Sequence, residues 1–225
     1  MSIDFNGTTS LLYHTTATGY LVDARTVLAW CYADTAGELG VGQLFGADET
    51  AAGTVYRWVL RYNNSTNLFR MFSNRTTDGV WQVALPLAQW NAFGVSYDGS
   101  DVANDPVARN NFAPLTVTEI TVPVGAEAAG ETGYAIGCRS TGTNVWDGAI
   151  QHVQFFNVVL TAAEMDAALR LPGSIRRGLV SWWPMLTAAH VTDIVQNVAG
   201  TGSALTSRGG PPCGPVHRRS KGYGR

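Results

Sequence analysis

Charged residues are scarce in this sequence: Asp, Glu, Lys and Arg make up 14% of its 225 residues, whereas hydrophobic residues make up 45%. So low a charge density leaves many surface positions apolar or neutral. It indicates either extensive contact with neighbouring molecules or the large interior of one big domain. The formal net charge of −2 gives no electrostatic reason to expect nucleic-acid binding.

Long apolar runs and paired cysteines are also missing. No run approaches the roughly 20 apolar residues of a membrane span. The start MSIDFNG has neither the basic nor the apolar region of a secretory signal, so we expect none. The three cysteines Cys31, Cys138 and Cys213 fit neither a disulfide framework nor a zinc site, which predicts buried or incidental thiols.

Motifs for catalysis and cofactor binding are absent as well. The sequence has no phosphate-binding loop or dinucleotide glycine pattern, and its four histidines are scattered. A glycosidase needs two carboxylates in one cleft. Glu164 and Asp166 lie two residues apart in a predicted helix, where such positions do not face together. We therefore expect no enzymatic activity and no cofactor.

Strand-like alternation dominates the chain as far as Phe156. TVLAWCYA is apolar on both faces, which predicts a central strand packed from above and below. YRWVLRY alternates more cleanly, and this predicts that Arg57 and Arg61 point to solvent while the opposite face holds Tyr56, Trp58, Leu60 and Tyr62. Short strands punctuated by Gly, Asn and Asp predict an all-β protein, a two-sheet antiparallel sandwich or jelly roll.

One short helix is predicted after the last long strand. In GAIQHVQFF the apolar phase shifts between Ile150 and Val153, which indicates a β-bulge. Thr161 and Glu164 then have the spacing of a capping box, and Leu160 with Met165 that of a hydrophobic staple.

Several segments, taken in order, carry a family resemblance. They are IDFNGTTSLL, TVLAWCYA, WNAFGVSYDGS, YAIGCRS and WDGAIQHVQFFNVVLTAAEM, spread over residues 2 to 170. Together they resemble the concanavalin A-like lectin/glucanase superfamily, in its laminin-G-like or pentraxin-like jelly-roll branch. The segment ARNNFAP departs from this pattern, because Phe112 stands where the family's hairpin turn usually has glycine.

The C-terminal part resembles the element that ordinarily opens such domains. RRGLVSWWPM, Asp193 and GTGSALT imply a circularly permuted domain over residues 1–206, in which residues 178–206 supply closing strands beside the N-terminal strand. A separate small subdomain is the alternative. Residues 207–225 are expected to form a basic Pro/Gly-rich tail, which either binds an acidic partner surface or stays disordered; its basic residues are Arg218, Arg219, Lys221 and Arg225.

The same resemblance extends to structural proteins of tailed bacteriophages. It implies a non-enzymatic virion protein, with a capsid decoration (cement) protein as the first expectation. A tail or fibre component, or a carbohydrate-binding lectin module for host attachment, is the alternative. The expected partners are capsid or tail proteins, further copies of the chain and a glycan, without nucleic acid or membrane.

Two sets of side chains are candidate ligand contacts. Trp81, Trp90 and Trp146 offer aromatic faces on which a sugar ring can stack, although Trp in a sandwich also serves as core. The resemblance to calcium-binding relatives draws attention to Asp98, Asp101 and Asp105 in DGSDVANDP. Asp is also common at turns, and the spacing is not that of an EF-hand loop, so we expect no metal.

Overall fold

The protein folds into strands that belong almost entirely to two antiparallel sheets. The structure, a computed structural model, describes residues 1–14, 22–48, 56–63, 67–128, 133–189 and 191–211. In chain order the strands are β1 (Ser2–Asn6), β2 (Leu11–His14), β3 (Ala24–Ala33), β4 (Gln43–Asp48), β5 (Tyr56–Tyr62), β6 (Leu68–Ser73), β7 (Gly79–Ala84), β8 (Trp90–Asp98), β9 (Val107–Asn110), β10 (Ala113–Pro114), β11 (Thr118–Thr121), β12 (Gly133–Ile136), β13 (Asp147–Phe156), β14 (Leu179–Trp183), β15 (Thr192–Asp193), β16 (Val198–Ala199), β17 (Thr201–Ser203) and β18 (Thr206–Arg208). A 3-10 helix spans Glu38–Gly40, and one α-helix, α1, spans Ala162–Arg170.

The two sheets form the predicted sandwich. The back sheet has the order β10-β9-β8-β3-β13-β1-β18, with β14 also paired to β13, and the front sheet has the order β11-β7-β6-β5-β4-β12-β2-β17. The core lies between them, and β3 shows how the alternation works. Its Val27, Ala29 and Cys31 join the core between the sheets, whereas Leu28 and Trp30 join a second cluster on the outer face of the back sheet. The prediction that this strand is packed from both sides is confirmed.

The predicted bulge in β13 is confirmed and determines how its neighbours fit. The register with β3 shifts between Gln151 and Gln154, and His152 takes a left-handed φ of 52°. Before the bulge, β13 pairs with β1, as in Ile150 with Ile3; after it, β13 pairs with β14. Because β3 occupies the other side of β13 throughout, β1 and β14 follow one another along the same side.

The C-terminal strands are built into both sheets. β14 pairs with β13, β17 with β2, and β18 with β1. Trp183 and Met185 lie in the core between the sheets, which argues against a separate subdomain. The last strand runs to Arg208, two residues past the predicted end of the domain. Circular permutation itself stays a prediction.

The short helix is also where the sequence places it. Thr161 accepts a hydrogen bond from the backbone N–H of Glu164, and the Glu164 side chain accepts one from the backbone N–H of Thr161, so the capping box is complete. Leu160 and Met165 are buried together with Trp30 on the outer face of the back sheet. The helix therefore covers that face.

The ARNNFAP hairpin forms without the expected glycine. Asn111 and Phe112 both have left-handed φ values, 49° and 66°, as a tight two-residue hairpin turn of type I′ requires. The Arg170 guanidinium lies 3.7 Å from the centre of the Phe112 ring, and Asn111 accepts a hydrogen bond from the backbone N–H of Ala92 at 2.9 Å. These contacts hold the turn in a conformation that glycine would adopt without strain.

Candidate functional site

The outer face of the front sheet is the candidate site. Among the described residues the single α-helix packs against the back sheet, and the front sheet carries only a small cluster on its outer side. In that cluster Val59, Phe72 and Val80 are direct cross-strand partners on β5, β6 and β7. We call the surface formed by Tyr56, Arg61, Arg70 and Gln82 around this apolar cluster the front face.

Two arginines and a glutamine form a polar row beside the apolar cluster. Arg61 is the direct cross-strand partner of Arg70, and Arg70 is the partner of Gln82. All three side chains are half-buried. The Arg61 guanidinium lies 4.6 Å from the centre of the Phe72 ring, and Arg70 Nε donates to Gln82 Oε1 at 3.4 Å. Guanidinium and amide donors therefore stand side by side across three strands.

Tyr56 contributes the aromatic surface of the front face. Its ring packs edge-on against Phe72, with 6.2 Å between the ring centres, and its hydroxyl donates to Asp78 Oδ2 at 3.2 Å. Burial and the Asp78 carboxylate raise the pKa of Tyr56, while Arg61 and Arg139 act in the opposite direction. The hydroxyl therefore stays protonated at neutral pH, within the electrostatic reach of two arginines.

A register shift explains why the sequence prediction for β5 is only partly right. Trp58, Leu60 and Tyr62 face the core as predicted. Ala47 pairs with Trp58 but the next residue, Asp48, pairs with Tyr56, so Arg57 is the extra residue of a bulge. The phase of the strand changes there. Tyr56 consequently joins the outer cluster, and the prediction that Arg57 points to solvent is wrong because it is buried against Glu127.

Two of the three tryptophans predicted to stack on sugars lie in the core. Trp81 and Trp146 are fully buried; their indole N–H groups donate to Asp105 Oδ1 at 2.7 Å and to the Tyr32 carbonyl at 3.1 Å. Since neither ring face is open, the stacking hypothesis does not hold for them. Trp90 is half-buried and packs edge-on against Tyr32, 5.8 Å between ring centres, so it stays a candidate.

The other candidate residues are dispersed or lie outside the described residues. Asp98 and Asp101 accept hydrogen bonds from the backbone N–H groups of Ser100 and Ala103 in their own turns, and Asp105 accepts the indole N–H of Trp81. Among the described residues no three metal-ligating side chains come together. The predicted tail residues Arg218, Arg219, Lys221 and Arg225, together with Cys213, fall outside the described ranges. Cys31 and Cys138 are buried thiols outside any disulfide, as predicted.

A second polar region lies at one end of the sandwich. Three arginines and Ser73 surround Glu127; this Glu127 cluster contains Arg25, Arg57 and Arg75. It borders a cleft of about 480 Å³ that Asp23 and Asp101 also line. Arg75 donates to the carbonyls of Gly99 and Gly125. Because ion pairs and hydrogen bonds already join these groups, we interpret the cluster as a structural link between the two sheets.

Comparisons with known proteins find similarity of fold. No model of a known family and no curated protein matches the sequence. A solved structure of a Bacteroides ovatus protein described as carbohydrate-binding matches with a TM-score of 0.67 and 12% identity over 94% of this chain, which spans 61% of that protein's length. A heptameric pentraxin from Limulus polyphemus matches with a TM-score of 0.57 and 14% identity over 92% of this chain and 95% of its own.

A third similar structure contains a bound sugar. The CBM40 module of a Ruminococcus gnavus IT-sialidase, solved with α2,3-sialyllactose, matches with a TM-score of 0.51 and 12% identity over 66% of this chain and 83% of its own. The chain therefore has the jelly-roll sandwich fold that these carbohydrate-binding and pentraxin structures share.

No helix in the described part of the chain is long and apolar enough to cross a bilayer.

Proposed function

We propose that this chain is a non-enzymatic carbohydrate-binding module and that it binds a saccharide on its front face. One observation carries the proposal: the half-buried Tyr56 ring packs against Phe72 on the outer side of the front sheet, where the Arg70 and Gln82 side chains also lie and where the described residues include no covering helix. A sugar ring offers an apolar C–H face that packs on an aromatic ring and hydroxyls that accept hydrogen bonds from nearby donors. The fold shared with a carbohydrate-binding protein and a CBM40 module supports the same function.

The experiment is a binding titration by calorimetry against a panel of neutral and acidic oligosaccharides. Tyr56→Ala removes the aromatic surface, so we expect it to weaken binding about tenfold, the effect of losing one well-placed ring. Trp90→Ala, which removes a half-buried aromatic ring from the back sheet, tests the remaining tryptophan candidate, and we expect it to bind normally. The reverse result would place the sugar at Trp90, and hydrolysis of any sugar in the panel would overturn the non-enzymatic assignment.

A virion location is a finer proposal that rests on the sequence resemblance and the low charge density. Under this proposal, the chain is a capsid decoration protein, or a tail or fibre component that attaches to host glycans. Purified protein should then bind particles that lack it at a saturable number of sites. Because apolar burial would dominate such an interface, binding should resist added salt, apart from any contribution of Arg218, Arg219, Lys221 and Arg225. Absence of saturable binding would argue against this location.

A further inference from the structure

We infer that the saccharide bound on the front face is acidic and that Arg61 and Arg70 bind its carboxylate or sulfate group. The inference rests on the proposed function and adds the chemical class of the ligand. Its first support is the register of the front sheet, in which these two arginines are direct partners on adjacent strands. Side chains at such positions lie about 5 Å apart at Cβ, and like charges there destabilise a sheet. A bound anion that contacts both guanidinium groups would reduce their repulsion.

The second support is the contrast between Arg70 and other arginines in the described part of the chain. Six of those arginines make ion pairs with described Asp or Glu residues: Arg25, Arg57, Arg75, Arg109, Arg177 and Arg208. The polar partner of Arg70 among the described residues is instead the neutral Gln82, at 3.4 Å, beyond the usual range for an N–H···O hydrogen bond. Its guanidinium therefore retains donors for an acceptor that the described residues do not supply.

The third support is that the rest of the front face suits an anion. Arg61 is held over the Phe72 ring, so its guanidinium is fixed before a ligand arrives. Arg139, a third half-buried arginine, lies within electrostatic reach of Tyr56, as Arg61 does. Asp78 is an acidic group next to this surface, and its carboxylate accepts a hydrogen bond from the Tyr56 hydroxyl. Among the described side chains that form the front face, the charged ones, Arg61 and Arg70, are both positive.

The shape of the groups suggests how an acidic sugar would lie. A planar guanidinium binds a carboxylate or sulfate through two parallel hydrogen bonds. With the anion between Arg61 and Arg70, the sugar ring would extend over the neighbouring apolar cluster towards Tyr56. Arg61 and Arg70 supply selectivity for the acidic group, and Tyr56 supplies contact area for any sugar.

The test compares sialyllactose, sulfated lactose and neutral lactose in calorimetric titrations with the full chain. We expect the acidic sugars to bind and lactose to bind weakly, with affinity falling as salt rises. Arg70→Ala should weaken acidic-sugar binding roughly tenfold to a hundredfold, the usual effect of losing a hydrogen bond to a charged group. Arg70→Lys keeps the charge without the paired donors and should lie in between. Arg176→Ala, which removes an exposed arginine beyond helix α1, is the matched control.

The outcomes separate this inference from the proposed function. If acidic and neutral sugars bind equally and only Tyr56→Ala weakens them, the module binds carbohydrate but the acidic class is wrong. If acidic sugars bind and Arg70→Ala changes nothing, the arginine pair is not the site. If no sugar binds while the protein is folded, the proposed function fails together with the inference. A preference between the carboxylated and the sulfated sugar identifies the anion.

Discussion

The Glu127 cluster shows how strongly one residue can depend on distant parts of the chain. The side chain of Glu127 is only 2% exposed, and it accepts hydrogen bonds from Arg25, Arg57 and Ser73. Burial alone would raise the pKa of Glu127, but these hydrogen bonds and the Arg25 charge outweigh burial and lower it. The carboxylate is therefore ionised in the folded protein, and it links the back sheet through Arg25 to the front sheet through Arg57.

We predict that Glu127→Gln lowers the free energy of unfolding by about 3–5 kcal/mol, because it leaves buried arginines without their counter-charge. Urea unfolding monitored by tryptophan fluorescence measures this, with the exposed Glu119→Gln as the control. Since the pKa of Glu127 is lowered on folding, its contribution is complete above the unfolded pKa and disappears as pH falls through the folded one. The variant should lack this part of the acid sensitivity; unfolding at the wild-type urea concentration would contradict the prediction.

The sequence predicts the surroundings of a single residue only when that residue's contacts are close to it in sequence. Arg61 and Arg70 stand out as polar positions in alternating strands, yet the fact that they face each other depends on the β5–β6 register. Glu127 lies 102 residues from Arg25 and 70 from Arg57, so no local pattern indicates the cluster. Trp81 could not be separated from a surface tryptophan, because the face of β7 that it occupies is fixed by packing on Met71 and Tyr97.

At the level of elements, helix α1 allows a stability prediction that depends only on residues close in sequence. Thr161→Ala should cost about 1 kcal/mol of stability by removing a helix cap, while sugar binding stays unchanged because the helix covers the opposite sheet. The measurement is urea unfolding together with the same titrations. Thr116→Ala, at an exposed loop position, controls for loss of a threonine. Unchanged stability with altered binding would make the helix part of a site.

Elements were predictable where the sequence pattern itself fixes the geometry. The capping box, the β13 bulge and the two-sided β3 each follow from residues close in sequence. Tyr56 was assigned to the wrong face because the bulge at Arg57 arises from pairing with β4, which leaves no mark in YRWVLRY. The hairpin at Asn111 and Phe112 forms without the glycine of the family pattern, since contacts from Arg170 and Ala92 hold its left-handed residues.

For the whole molecule, the C-terminal strands are predicted to be indispensable. A fragment of residues 1–177 lacks β14, β17 and β18 and loses Trp183 from the core. We expect it to lose cooperative thermal unfolding, measured by circular dichroism and calorimetry. A chain that ends at Pro211, which keeps every described strand, is the control. A fragment that melts at the same temperature as the full-length chain would show that the fold does not require residues 178–225.

The pairing of β1 with β18 has a mechanical consequence. Ser2 and Arg208 are direct partners in that ladder, so the two ends of the sandwich leave it from the same point. Tension applied between the two ends would act perpendicular to the strands. The hydrogen bonds between β1 and β18 would then break one after another, because the force would not be distributed over all of them at once. A domain anchored at both ends would therefore open at low force along the β1–β18 pair.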